Sequence, residues 1–494
     1  MQDNAALLQL WKNLSKTERL QLRKWLQSPF HNLRADTLAL FDVLISMPDS
    51  VLDMLPKPTV FAQLYPGAAY DNNLLNHVFS FLKKQIEAFL AWEEITKNEP
   101  EWHQLHLARA LRRRGVAAEF ERKIGALEKA HAEKPQRNSA WQLLRYQIQH
   151  EKLAHQSLQG RDTAADLGAV SDALVQIFLL ENIRLNATAL SMKSLYGNDF
   201  RLPLSGEALA EAERHIVEDQ AVERRGVPSP ASALEIMRLS FRAQHDPEDA
   251  ANFEQLKRLL PAGAQLFDAA ECHDLYRTAI NFALRRHNRG ERPGYTREAF
   301  DLYRAALENG FLFESGKLPK AAYNNLNRLA CLLGEHEFAR HFLEKYRDAL
   351  PAAERENTYR FNLAIFHYLS SDFAQVPALL QAFEFTDVYM NLHAREMLLK
   401  SYFELREWVA LSSLCDSFYT YLRRKKDLGY HRTTFLNFIK YIRKVVRPSA
   451  MQRKKAAQLA EKIRREEYVA GREWLLEKLG FGQEVTKNVS RPAP

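Results

Sequence analysis

The 494 residues carry 69 Lys and Arg against 61 Asp and Glu, a formal charge of +8, with 46% hydrophobic and 26% charged side chains. These proportions suit a folded chain and exclude a disordered one, and the length exceeds one ordinary domain. Gly and Pro are few and cluster at breaks, and long β-branched runs of period two are absent, so an all-α fold is expected.

No run of about 18 uninterrupted apolar residues exists, so no membrane span is expected. Met1-Gln2-Asp3-Asn4 lacks the basic start of a signal peptide. Cys272, Cys331 and Cys415 are far apart, each within a helical pattern, and read as buried free thiols of a reducing compartment. A cytoplasmic location follows as the expectation.

Residues 1–97 read as an N-terminal helical cap. Ser15-Lys16-Thr17-Glu18 is a capping box opening a helix that ends before Ser28-Pro29. A second helix covers about 34–47, and Pro58 starts a short one through Tyr65. Asp71 or Asn72 caps a long helix with the stripe Leu75, Val78, Phe79, Leu82, Ile86 and Phe89. Short helix, turn, longer helix also invites a DNA-reading comparison through Asn72, Asn73, Asn76 and His77. Caps and solvated face explain those residues more simply.

Residues 98–320 read as irregular helix pairs. Breaks fall at Gly115, Pro135, Gly197-Asn198-Asp199 and Pro228-Ser229-Pro230. Asp246-Pro247 reads as an N-cap with proline at the first helical position, and Pro261-Ala262-Gly263 as that helix's stop. Arg112-Arg113-Arg114 lies at a helix C-terminus, where it offsets the helix dipole.

Residues 321–420 are periodic. Phe338, Phe373 and Trp408 stand 35 apart, each after a short polar break. Leu329 and Leu333, Ala364 and Tyr368, and Leu399 and Phe403 give each preceding helix an i, i+4 apolar pair. A helix–turn–helix unit of this length is the signature of a tetratricopeptide-like α-solenoid of degenerate helix pairs, in which each unit completes its neighbour's apolar face. Trp408 reads as a stacking core residue, and Pro377 as a kink a few residues into its helix. The segments Leu26-Gln27-Ser28-Pro29-Phe30, Leu333-Gly334-Glu335-His336-Glu337-Phe338-Ala339 and Trp474-Leu475-Leu476-Glu477-Lys478-Leu479 carry a further likeness. With them most of the chain resembles a family of uncharacterised tetratricopeptide-like helical-repeat proteins. That resemblance implies a fold and no activity.

Residues 421–494 read as basic C-terminal helices and a short tail. Within 421–465 fifteen basic residues face only Asp427 and Glu461, a net +13, which leaves the rest of the +8 chain at −5. Tyr421, Tyr430, Phe435, Phe438 and Tyr441 interleave with the charges. Phe435, Phe438, Ile439 and Ile442 have core spacing. The cations are either a solvated face or a site for an anionic partner.

Catalytic motifs are missing: there is no GxxxxGK[ST], GxGxxG or HExxH. His103 and His106 share a helix face without further ligands and read as surface. No catalytic residue, cofactor or metal is therefore expected. The function expected is a noncatalytic interaction scaffold binding a protein or peptide along a helical-repeat groove. Its groove candidates are Asn324, Asn325, Asn327, Arg328, Arg360, Asn362, Arg395 and Lys400. The alternative is a nucleic-acid-associated protein, with Arg423, Arg424, Lys425, Lys426, Arg443, Lys444, Arg453, Lys454 and Lys455 meeting a polyanion or an acidic partner.

Overall fold

The computed structural model describes residues 5–159, 167–196, 206–207, 210–214, 230–246, 248–291, 294–381, 387–425, 428–446 and 453–481. Among them every regular element is helical, and the only β-type pairing is an isolated bridge between Glu314 and Lys317. No described helix is long and apolar enough to cross a membrane. The chain divides into two compact units, Met1–Glu181 and Asn182–Pro494.

The first unit begins with α1 (Ala5–Asn13), α2 (Lys16–Gln27), α3 (Ala35–Ile45), α4 (Lys57–Leu64) and α5 (Asn72–Glu93). The capping box forms as expected: Ser15 Oγ accepts from the Glu18 amide at 3.2 Å, and Glu18 accepts from the Ser15 amide at 2.6 Å. Asp71 caps α5, and the six apolar residues of the expected stripe are all buried. The four shorter helices pack on α5 around Trp11, Leu22, Leu40, Phe41 and Phe79. Between α2 and α3 the loop is fixed by Asn32, whose amide donates to the Leu26 and Arg34 carbonyls at 3.0 Å each. It leaves Phe30 and Leu33 almost fully exposed.

Next, α6 (Pro100–Arg113) and α7 (Ala117–Ala132) turn at Gly115 and pack with α8 (Ser139–Gln159). Here the sequence reading of Arg112 needs correction. Its guanidinium does not merely lie at a helix end; with Arg109 it donates to the buried Glu151, at 2.8 and 2.5 Å. Burial pushes the Glu151 carboxyl up, but the two arginines hold it below the ordinary range. The division between the units falls within α9 (Leu167–Tyr196).

The second unit continues with α10 (Pro230–His245), α11 (Ala250–Gly263), α12 (Ala269–Asn288) and α13 (Gly294–Glu308). Two expectations fail at α11. Asp249, not Asp246, is its cap, accepting from the Ala251 amide at 2.8 Å. The helix also runs past Leu260, through Pro261, and ends at Gly263. Then come α14 (Lys320–Leu332) and α15 (His336–Lys345), α16 (Arg355–Leu369) and α17 (Val376–Leu380), and α18 (Val388–Glu404) and α19 (Trp408–Arg424). The first helices of these three pairs touch in succession, and α15 packs on α16 and α17 on α18. The chain ends, among described residues, with α20 (Tyr430–Val445), α21 (Arg453–Arg465) and α22 (Arg472–Lys478).

All three pairs turn the same way. In each, the second residue after the first helix has positive φ: Gly334 at 77°, Ser371 at 63° and Arg406 at 59°. The following amide reaches back five residues, Glu335 to Ala330, Asp372 to His367 and Glu407 to Tyr402, at 2.9, 2.8 and 2.9 Å. This is the Schellman arrangement, which satisfies carbonyls the helix end leaves bare. Pro377 does not kink a helix. It sits in the first turn of α17, which is five residues long. Trp408 is not core either: it is 41% exposed and meets Phe403 edge-on at 5.5 Å. The three cysteines are buried free thiols, and burial raises Cys272 to about 11, Cys331 to about 12 and Cys415 to about 11.

Candidate functional site

Among the described residues α17, α18 and α19 frame a cleft of about 440 Å³ whose floor is α18 and whose far wall is α19. Asn391, Ala394, Arg395, Leu398 and Tyr402 rise from the floor at helical spacing, and Ala410, Ser413, Leu414 and Ser417 from the wall. Leu380 and Gln381 form the near edge. Gln381 donates its amide to the Tyr402 hydroxyl. Burial raises the Tyr402 pKa, so the hydroxyl stays protonated. Arg395 Nε donates to Asn391 Oδ1 at 2.9 Å, and its guanidinium lies 5.0 Å from the Tyr421 ring centre. Apolar Ala394, Leu398 and Leu414 beside polar Asn391, Arg395, Ser413 and Ser417 suit an amphipathic segment.

Of the groove candidates, only Arg395 lines this cleft. Asn327 and Asn362 are fully buried and bond across α14 and α16. Asn327 Nδ2 donates to the Asn362 carbonyl at 2.9 Å and to its Oδ1 at 3.2 Å. Asn362 Nδ2 donates to Asn324 Oδ1 at 2.6 Å and to the Thr358 carbonyl at 2.8 Å. They join neighbouring helices and present nothing to a partner. Asn325 donates to the Tyr303 hydroxyl at 3.0 Å, and Arg360 to Glu356 at 2.5 Å. Arg328 is exposed. Lys400 is mostly buried and donates to Glu396 at 2.5 Å. Burial opposes that carboxylate's charge, but Lys400 and His393 hold its pKa down at about 2.

The chain's own end covers this stretch of α18. The Lys400 amine lies near Phe438 and Trp474, 5.7 and 5.8 Å from their ring centres. Trp474 stands edge-on to Phe403 at 5.0 Å, donates to Glu404 at 3.0 Å, and Lys478 pairs with Glu404 at 2.7 Å. Two other hollows are already satisfied from within. Around Lys320 a space of about 280 Å³ holds its ion pairs with Asp387 and Glu354. In the first unit a hollow of about 530 Å³ is lined by Arg34, Asp36 and Tyr65. Asp36 accepts from both of the others, and burial and the Asp36 charge push Tyr65 up to about 12.

The basic segment separates into three places. α19 and α20 are antiparallel, since Arg432 Nε donates to the Leu422 carbonyl at 2.9 Å and Phe418 faces Phe435 at 5.8 Å. Arg423, Arg424 and Lys425 are exposed at one end of this hairpin. Lys444 and Arg443, the latter paired with Asp416 at 2.5 Å, lie about 20 Å away along the helix axes. Arg453, Lys454 and Lys455 are exposed in the first turn of α21. Lys426 lies outside the described residues. Phe435, Phe438 and Tyr441 are core, as their spacing predicts. Tyr430 is not.

Among the described residues no group of three or more His, Cys, Asp or Glu is placed to hold a metal ion. No protein-family model, curated protein or solved structure matches the chain.

Proposed function

We propose that the chain is a tetratricopeptide-like α-solenoid serving as a noncatalytic scaffold, and that it takes an amphipathic protein segment into the cleft of α17, α18 and α19. The 35-residue period, the three equivalent Schellman turns and the successive contacts of α14, α16 and α18 support the repeat reading. The carrying observation is the cleft itself, with Leu398, Leu414 and Ala394 inside and Asn391, Ser413 and Ser417 at its rim. Among the described residues the cleft stands open beside α17, and the partner's segment occupies it.

Ser413 and Ser417 are exposed, so Ser413→Trp fills the cleft without touching the core. Peptides selected from a display library against the full chain are expected to bind the wild type and to lose at least tenfold in affinity for Ser413→Trp. Their footprint should protect α18 and α19 from hydrogen exchange. Selected peptides that bind both proteins equally would remove the cleft from the reading.

A further inference from the structure

Where α19 ends and α20 begins, side chains remote in sequence form an exposed aromatic row. Tyr389, on α18, meets His431 edge-on at 4.9 Å; His431 lies 4.1 Å from Tyr430; Tyr430 lies 5.8 Å from Tyr468. The three tyrosines are 55%, 59% and 40% exposed, and none belongs to the surrounding apolar core that takes in Phe435, Phe438 and Tyr441. Their backbones are fixed. Asn437 donates to the Tyr468 carbonyl at 3.0 Å, the Ala470 amide to Thr434 at 3.3 Å, and Arg432 ties the first turn of α20 to Leu422. The backbone that carries the row is therefore held in place, and the rings lie against one another through His431.

Arg423, Arg424 and Lys425 stand at the same junction, exposed and with no ion pair to another described residue. Their acidic surroundings are engaged elsewhere. Asp387 pairs with Lys320, Glu396 with Lys400, and Glu466 with Lys440 and Tyr441. Among the described residues Glu467, beside Tyr468, adds negative charge, and it lies in the segment that supplies Tyr468; Asp427 lies outside the described residues. Flat rings open to solvent beside unpaired cations match a ligand that alternates flat rings with anions.

We propose that this junction binds single-stranded nucleic acid, with bases stacked on Tyr389, Tyr430 and Tyr468 and phosphates on Arg423, Arg424 and Lys425. A duplex keeps its bases within its own stack and offers the tyrosines nothing. An acidic peptide satisfies the cations and leaves the rings idle. The site is independent of the cleft of α17 to α19.

The experiment is fluorescence anisotropy on the full chain with a labelled oligothymidylate of about twelve nucleotides, at about 50 mM salt. Binding is expected, weaker by at least tenfold for a duplex of equal length and for polyglutamate. Tyr430→Ala and Tyr389→Ala should each weaken it about 5- to 100-fold, while Tyr430→Phe retains it. Arg423→Glu with Arg424→Glu should weaken it further and flatten its salt dependence. Ser413→Trp should leave it unchanged, which separates this site from the cleft. Absence of binding overturns the proposal. So does binding that ignores both alanine variants, or that is equal for polyglutamate, since the cations would then be a general polyanion patch.

Discussion

Two joints within the second unit solve the same problem with different chemistry. Between α14 and α16 the joint is an amide pair, Asn327 on Asn362, fully buried and neutral. Between α18 and the segment around Gly471 and Trp474 the joint is a packing contact: those two residues roof an ion pair within α18, Glu396 and Lys400. A side-chain amide both donates and accepts, so one amide on each helix makes the joint. An ion pair within one helix makes no such bridge, and in a mostly buried place it needs a cover, which Gly471 and Trp474 supply. The two joints differ in kind, and the contact residues differ with them.

Breaking the charged joint should cost most. Lys400→Met leaves the mostly buried Glu396 carboxylate with only the exposed His393, at 3.4 Å, and is expected to lose about 3–5 kcal/mol in denaturant melts. The double change Glu396→Leu with Lys400→Met should recover most of that loss, because no charge is stranded. The pH dependence has a defined sign. The Glu396 pKa falls from an ordinary 4.5 to about 2 on folding. Its contribution is therefore whole above pH 4.5 and lost as pH falls through about 2. The double variant should show a smaller loss over that window.

Breaking the neutral joint should cost less. Asn362→Ala keeps the backbone carbonyl that accepts from Asn327 but removes the Oδ1 acceptor and the donor to Asn324, and is expected to lose about 1–3 kcal/mol. Replacing both with leucine should bring back part of this, and the coupling between the two changes measures the joint directly. A loss for Asn362→Ala as large as that for Lys400→Met would erase the distinction between the joints.

The same contrast shows what the sequence discloses. Helix pairs are legible because apolar spacing and polar breaks act locally, and Ser15 with Glu18 declares its cap within four residues. Asn327 and Asn362 mislead because an amide on a helix face usually faces water. Their separation of 35 residues, equal to the repeat, was the available clue that they are neighbours in space. Lys400 leaves no such clue, since its cover comes from Trp474, and Tyr389 is linked to Tyr430 and Tyr468, by way of His431, only in the folded chain. Trp408 misleads in the opposite direction. It opens α19 at the repeat interval yet reaches only the edge of Phe403, so Trp408→Ala should cost about 1 kcal/mol. A melt showing several times that loss would return the ring to the core.

The smallest expected effect tests whether the three hairpins are equivalent apart from their joints. Gly334, Ser371 and Arg406 share one left-handed backbone conformation. A side chain at this φ crowds its own carbonyl, a penalty glycine does not carry. A Cβ on Gly334 would meet nothing within 4 Å, so Gly334→Ala isolates the backbone term. It should destabilise by about 1 kcal/mol, and Arg406→Gly should stabilise by about 0.5–1 kcal/mol. Effects of opposite sign and similar size mean that the turns are interchangeable and that the joints alone distinguish the repeats. If Arg406→Gly instead destabilises, the Arg406 side chain makes a contact that outweighs its backbone strain, and the last turn is specialised as the last joint is.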